Sequence, residues 1–364
     1  MKKQLLLCCI FSLLVSCTLS KKERDGSRVV NLEATLLSVD TAILGSKLAV
    51  LSSDILLLST VNHSPVYDVC RIRKDSIIKI GSFMSIGEGP YEMNLSTCFI
   101  SEESNNLYVY SQDYRKMFVI PFPLSENLLN TDNWEELKVP SVKNCFWSYG
   151  YSAIQIVSDS SFLSVGGSYE DANVLSLIQV GKSVEKVNGF SYPENESDIP
   201  NIVKRQVYNE SHLVKRPFVN QYAIVGDRAD YLGIFNFENK QVVNLHFVKK
   251  NFPKYVAMQD GMNVSYDPEN SNGYRANATS HFIYLLSSPF KTMNEWGNAI
   301  DYKGYPSSYR DRIEVYDWDG NYVKTFVLNM PVGSFNVSEN DSIILANTML
   351  LDEEKECIVK FAIP

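Results

Sequence analysis

The chain has 364 residues, 45% hydrophobic, 21% charged and 12% aromatic, with 18 Gly and 14 Pro; that balance excludes collagen-like and mainly disordered chains and allows a large core. Its 34 Lys and Arg against 42 Asp and Glu give a formal net charge of -8, which argues against nucleic acid as a partner. The length suits two or three ordinary domains or one closed all-β domain, a class that routinely runs longer.

The first residues read as an address. Lys2 and Lys3 precede an almost unbroken apolar run from Leu5 to Val15, which ends in Leu14-Val15-Ser16-Cys17. This is the pattern of a bacterial lipoprotein signal, with residues 1–16 removed and Cys17 left as the first residue. The run falls short of the ~20 apolar residues that a membrane-spanning helix needs. Ser16 is small enough for a peptidase pocket, and the Cys17 thiol is the nucleophile that accepts a diacylglyceryl group. Two or three acyl chains, at ~0.8 kcal/mol per buried CH2, then hold the domain on a membrane. Residues 17–28 are polar and mixed in charge, as a flexible tether is. Thr18 stands where an Asp retains proteobacterial lipoproteins at the inner membrane, so the expected location is the cell envelope, anchored in the outer membrane, with the leaflet left open. Loss of Lys2 and Lys3 with the leader leaves 32 basic residues against 42 acidic ones, a net of -10.

Of seven cysteines, Cys8 and Cys9 leave with the leader and Cys17 is acylated, so Cys70, Cys98, Cys145 and Cys357 remain. None forms the paired spacing of a zinc site. Cys70 and Cys357 lie in apolar strand-like runs and read as buried thiols.

From Val29 onward, short Val-, Ile-, Leu-, Tyr- and Phe-rich strands alternate with polar turns, and no long helical periodicity competes with them. One strand type recurs: Ile55–Leu58, Leu107–Tyr110, Phe162–Val165, Tyr222–Val225, Phe282–Leu285 and Ile343–Ala346, with starts 52, 55, 60, 60 and 61 residues apart. Most are followed by a hairpin, as in Val66–Ile72 with Ser76–Phe83 and Tyr231–Phe237 with Gln241–Phe247. In Arg312–Trp318, Asp319-Gly320, Asn321–Leu328, the Asp-Gly pair supplies the positive φ of a two-residue hairpin. This period predicts an all-β, six-bladed β-propeller over residues 29–364, since each small sheet buries its faces only against neighbouring blades. The last unit runs out of chain before its final strand, whereas Val29–Leu37 has no unit of its own. Pairing the N-terminal strand into the last blade closes the ring. Asp198-Ile199-Pro200-Asn201 opens a short helical insert before blade four, with Ile199, Ile202, Val203 and Val207 at helical spacing. Asp132–Leu137 reads either as a turn of helix or, from Glu135, as the outer strand of blade two.

With the leader and the six units, Gly87-Glu88-Gly89-Pro90-Tyr91-Glu92-Met93 resembles the G-x-G-P-G-E-F segment of the TolB-like six-bladed β-propeller lipoproteins common in Bacteroidetes. Gly87, Gly89, Pro90 and Glu92 match, while Tyr91 and Met93 depart from that form. The resemblance covers nearly the whole mature chain and implies fold and location but no reaction. Physically, the two glycines permit a turn that a side chain would block, Pro90 stiffens it, and Glu92 can accept backbone N–H bonds. Asp75-Ser76-Ile77, Asp341-Ser342-Ile343 and Asp40-Thr41-Ala42 match a short O-glycosylation pattern attributed to Bacteroidetes, at a length where chance matches are common.

Catalytic signals are sparse. His63, His212, His246 and His281 form no H-x-x-x-H or H-E-x-x-H pattern, and no G-x-S-x-G elbow or phosphate loop occurs, so the sequence points to no catalytic residue, metal or cofactor. A metal site built from one ligand per blade is invisible to spacing; Glu92, Asp227 and Asp230 are its candidates, each more simply a turn carboxylate. Asp317-Trp318-Asp319-Gly320-Asn321 looks like part of a calcium loop but lacks the other acidic ligands. Binding has better material. Trp147, Tyr149 and Tyr151 lie close together, and Trp296, Tyr302, Tyr305 and Tyr309 fill a polar insertion from Ser288 to Asp311. Loops over ~12 residues are often functional. Their rings can stack on a sugar or a peptide, with Asn298, Asp301 and Arg310 for directional bonds, or else simply pack the insertion against the rim. Arg216, beside Lys215, offers a cation at the channel mouth. The reading is a lipid-anchored, non-catalytic module that binds a glycan, a peptide or an envelope protein. The alternative is a lactonase-like or glycan-cleaving propeller enzyme, marked by three or more carboxylates or histidines converging at the channel.

Overall fold

The computed structural model describes residues 28–364 apart from 40–46, 60–62, 94–95, 102, 112–115, 123–124, 141–153, 167–172, 193–199, 210, 228, 259–263, 267–272, 288–302 and 307–308. The chain enters through three short strands, β1 (Val29–Leu32), β2 (Ala34–Leu36) and β3 (Ser38–Val39). Blade one is β4 (Lys47–Val50), β5 (Ile55–Ser59), β6 (Tyr67–Ile72) and β7 (Ser76–Phe83); blade two is β8 (Ser96–Ser101), β9 (Asn106–Ser111), β10 (Lys116–Pro121) and β11 (Glu135–Lys138). Blade three is β12 (Ile154–Ser158), β13 (Ser161–Val165), β14 (Leu175–Gln179) and β15 (Ser183–Lys186); blade four is β16 (Ser211–Lys215), β17 (Gln221–Gly226), β18 (Tyr231–Glu238) and β19 (Gln241–Lys250). A separate hairpin, β20 (Tyr255–Ala257) and β21 (Val264–Tyr266), precedes blade five, which is β22 (Arg275–Ala278), β23 (Phe282–Ser287), β24 (Arg310–Asp317) and β25 (Tyr322–Val332). Blade six is β26 (Ser334–Val337), β27 (Ile343–Leu350) and β28 (Lys355–Ala362), completed by β2. The first strands lie side by side, β8 against β12, β12 against β16, β16 against β22, β22 against β26 and β26 against β4, and so line one axis. The fold is the six-bladed propeller that the repeat predicts.

The recurring apolar strands are the second strand of every blade, and their composition follows from their position. A strand sandwiched by neighbouring blades is buried on both faces, so it carries a continuous apolar run where a one-sided strand alternates. In β5, Ile55 and Leu57 pack toward blade two while Leu56 and Leu58 pack toward blade six. In β17, Tyr222 and Ile224 face blade three, and Ala223 and Val225 face blade five. The core is accordingly six apolar clusters, one in each seam between blades.

Closure differs from the expectation in its detail. Only β2 completes the last blade, antiparallel to β28 with Ala34 opposite Phe361 and Leu36 opposite Val359. β1 instead runs parallel along the outer edge of blade five, Val29 opposite Thr325 through Leu32 opposite Leu328. β3 pairs in parallel with β7 of blade one. Residues 29–39 are therefore a strap over three blades, because after each two to four residues the edge of one blade ends and the next begins. The Leu37 N–H donates to Ile358 O at 3.0 Å and the Ser38 N–H to Asp75 O at 3.1 Å, one bond on either side of the seam between blades six and one. Leu32, 3% exposed, enters the seam between blades five and six, and Leu37, 2% exposed, enters the next.

Three local expectations also meet the structure. The insert before blade four is α2 (Asn201–Asn209), whose Val203, Val207 and Tyr208 are buried between blades three and four; Asp198 and Ile199 lie outside the described residues. Blade two holds both readings of its edge, a 3-10 turn at Thr131–Asn133 and then β11, and a further short helix, α1 (Ser125–Leu129), precedes them. The Asp-Gly hairpin is not a two-residue turn: of the pair only Gly320 has positive φ, at 85°. The Gly320 N–H donates to Asp317 O, and the Asp317 carboxylate accepts the Asp319 and Asn321 N–H groups, which makes a longer turn with a bulge beside it.

Leu37→Ala is expected to cost about 2–4 kcal/mol, the usual range for emptying a fully buried site. Leu36→Ala, at a side chain 52% exposed, is expected within about 0.5 kcal/mol of the parent. Urea unfolding of both variants checks this, and equal effects at the two positions would contradict the strap.

Candidate functional site

Strand direction defines two ends. The first strand of each blade starts where the preceding blade's connection arrives, and the second and third strands join at that same end. The four longest connections, residues 139–153, 187–210, 251–274 and 288–309, all emerge there. α2 and the β20–β21 hairpin belong to them.

At the mouth of the axis on this end, charged groups converge from separate blades. Lys47 is the first residue of β4, Arg275 the first of β22 and Arg310 the first of β24, while Asp227 directly follows β17. The His212 imidazole of β16 hydrogen-bonds the Asp227 carboxylate, Nε2 to Oδ1 at 3.3 Å. Burial alone would raise the Asp227 carboxyl, but the His212 bond and the nearby Arg310 and Arg275 guanidiniums hold it well below the usual carboxylate range. Burial, and then the charge of Arg275, push the Lys47 ammonium down to about 8. Burial likewise brings Arg310 down to about 10, with Arg275 adding repulsion and Asp227 opposing. Burial also lowers Arg275. Cys98 on β8, near Lys47, is pushed up to about 11 by burial and stays a thiol. Among the described residues, Lys47, Arg275 and Arg310 thus lie around the Asp227 carboxylate in the mouth of a protein whose formal net charge is -8. Local precision comes from Gly226, where a Cβ would stand 2.5 Å from Ala229 O and from the Tyr231 ring. Only glycine lets β17 turn so tightly into Asp227.

The residues singled out for binding separate. Trp147, Tyr149, Tyr151, Trp296 and Tyr302 lie outside the described residues, as do Asn298, Asp301, Cys17, Cys145 and Thr41. Tyr305 and Tyr309 are on the insertion-bearing end, their ring centroids 5.9 Å apart. Tyr309 is 6% exposed and packs beside Gly333, which leaves little ring face open. Arg216 is at the opposite end, in the β16–β17 turn, where Nε donates to Ser280 O at 2.9 Å and Nη1 to Gln221 Oε1 at 3.1 Å. It ties blade four to blade five. Lys215, also at that end, pairs with Glu103 of blade two at 2.6 Å, past the intervening blade three.

Among the carboxylates, Glu92 accepts the Gly89 N–H at 2.8 Å, and a Cβ on Gly87 would collide with its Oε2. The segment from Gly87 to Met93 is a blade link, with Met93 fully buried. Asp230 is held by Lys249 at 3.0 Å, the Tyr274 hydroxyl at 2.5 Å and Asn251 at 3.0 Å. Among the described residues, no three His, Cys, Asp or Glu side chains come together to hold a metal ion. Cys70 and Cys357 are buried free thiols, and Ser76 and Ser342 are half-buried at strand starts. Lys47 and Arg275 went unnoticed in the sequence; their only signal is that each opens a first strand after a polar connection, Gly45-Ser46-Lys47 and Gly273-Tyr274-Arg275.

Residues 74–340 match the model of a family described as TolB-like 6-blade propeller-like. The chain belongs to this family. A solved member of the DUF4221 family from Bacteroides vulgatus ATCC 8482 is similar to this TolB-like propeller with a TM-score of 0.55 at 12% identity, over 91% of this chain and 96% of that one. A Bacteroides fragilis NCTC 9343 protein assigned as exported gives 0.48 at 12% identity, over 92% and 98%. These likenesses are likenesses of fold. No curated protein matches the TolB-like chain.

Lys47→Met is expected to stabilise the protein by about 1–2 kcal/mol at pH 7. The folded-state value near 8 lies below the ordinary 10.5, so the penalty is complete below pH 8 and fades as pH rises from 8 to 10.5. Thermal unfolding of parent and variant across that range should show the advantage shrinking as pH rises; a pH-independent difference would contradict it.

Proposed function

We propose that this TolB-like propeller is an exported, lipid-anchored binding module of the cell envelope, held by Cys17 and taking its ligand on the insertion-bearing end without chemistry. One observation carries the binding reading. The four longest connections leave the blades at the end where charged groups of three blades, one, four and five, converge. Binding residues concentrate on loops that a stiff scaffold positions. The opposite end is spent on blade-to-blade ties such as Arg216 to Ser280 and Lys215 to Glu103. Anchoring rests on the leader, from Lys2 and Lys3 through Ser16-Cys17, with the outer membrane as the expected site. No helix of the described residues is long and apolar enough to cross a membrane. The partner is a glycan, a peptide or an envelope protein.

A glycan and peptide panel against the mature protein, read by thermal unfolding with and without a chelator, tests the binding reading. A ligand at about 100 times its Kd adds ~2.7 kcal/mol, a shift of a few degrees that the chelator leaves unchanged. Turnover of a panel ligand, or stabilisation that the chelator abolishes, would contradict it. For the anchor, an alkyne-tagged fatty acid fed to expressing cells should label the parent and not Cys17→Ala; equal labelling of both would contradict it.

A further inference from the structure

We propose that a cleft between blades three and four, at the end opposite the long connections, binds an uncharged sugar. This is a second site, independent of the one proposed above. The cleft holds about 510 Å³, inside the ~300–1,000 Å³ typical of small-molecule sites. Leu177 of β14 and Phe237 of β18 form part of its apolar lining.

The polar lining names the ligand. Gln179 at the end of β14, Asn220 in the β16–β17 turn and Asn239 in the β18–β19 turn each bring a carboxamide to the cleft. Apart from a 3.5 Å bond from Ser183 Oγ to Gln179 Oε1, these side chains make no hydrogen bond to one another or to the rest of the described residues, save that the Asn130-type cap is absent here and Asn220 and Asn239 face only the cleft turns. A carboxamide both donates and accepts, as every sugar hydroxyl does, whereas a phosphate or a carboxylate asks for donors alone. Charge points the same way. Lys240, the cation of the lining, is already held by Glu185 of β15, Nζ to Oε2 at 3.0 Å, and Glu238 beside it repels an anion.

The backbone fixes these groups in place. The Asn220 carbonyl accepts the Phe237 N–H at 3.0 Å, which ties its turn to β18. Asn239 and Lys240, with φ of 50° and 63°, are the central pair of a two-residue hairpin in which Glu238 stands opposite Gln241.

Phe218 supplies a ring. It precedes Asn220 by two residues in the same turn, is 66% exposed and has a φ of 61°. A bulky side chain is strained in the left-handed region, and an aromatic ring left in water adds nothing to the core. Neither feature serves the fold. A ring that stacks on the apolar face of a pyranose accounts for both.

Saturation-transfer NMR of the mature protein with glucose, galactose, mannose and N-acetylglucosamine, and with glucuronate as the charged control, tests the proposal. At least one neutral sugar should bind, and glucuronate should not. Asn220→Ala, and Asn239→Gly, which keeps the positive φ, should each weaken binding roughly 3- to 10-fold. Phe218→Asn separates the site from the scaffold: Asn accepts this φ, so the variant should unfold at the parent's temperature or above and yet bind the sugar more weakly. Because these residues lie at the far end from the charged mouth, their effect distinguishes this site from the one proposed above. No binding by any neutral sugar, glucuronate bound as tightly as the neutral sugar, or full affinity in Phe218→Asn or in the Asn220→Ala, Asn239→Gly double variant would overturn the proposal.

Discussion

The strap formed by residues 29–39 is the constraint on which the ring depends. A propeller of independent sheets has one seam that local folding does not close, here between blades six and one. Its apolar cluster is among the smaller ones, with Leu48, Leu56, Leu58, Cys70 and Ile77 on one side and Leu345 and Ile358 on the other. Leu37 adds to that cluster from the strap, and burying such a side chain contributes about 1.5–3 kcal/mol. The strap's hydrogen bonds add about 1 kcal/mol each, and those of β1 and β2 join segments more than 280 residues apart in the chain. Lys360, which donates to Lys74 O at 2.8 Å, reinforces the same junction. Blades five, six and one are thereby fixed to one another by a single segment.

That fixation has a direct consequence at the mouth. Lys47 belongs to blade one and Arg275 and Arg310 to blade five, so the strapped blades are the ones that hold the cations near each other. Left to electrostatics alone, these groups would separate. The cost of burying Lys47 is offset by apolar seams elsewhere in the ring. A stable scaffold that tolerates an unfavourable charge arrangement at one end is a common basis for recognition.

How much of this was legible in the sequence depends on burial. The second strands were readable because both faces are covered, which writes Ile55-Leu56-Leu57-Leu58 and its five counterparts as apolar runs. Their spacing then yielded the blade count. The strap was readable as a need for closure but not in its division among three blades, since β1 and β2 are half exposed and an edge strand of three or four residues carries no register signal. The Asp319-Gly320 turn was misjudged because Asp317, outside the pair, captures the backbone N–H groups. For the mouth, Asp227 and Arg310 drew notice singly, while Lys47 and Arg275 did not. Residue 47 becomes a neighbour of residues 227, 275 and 310 only when the ring closes, and no spacing rule links blade one with blades four and five.

The central claim is that the strap is part of the cooperative fold and not a late addition to it. Native-state amide hydrogen exchange tests it most directly at the Leu37 and Ser38 amides, whose acceptors, Ile358 O and Asp75 O, lie on opposite sides of the seam. The account predicts that these amides exchange only with global unfolding, at the same free energy as the central amides of β5 and β27. Exchange of the strap at a much lower free energy, with the blades still protected, would contradict it.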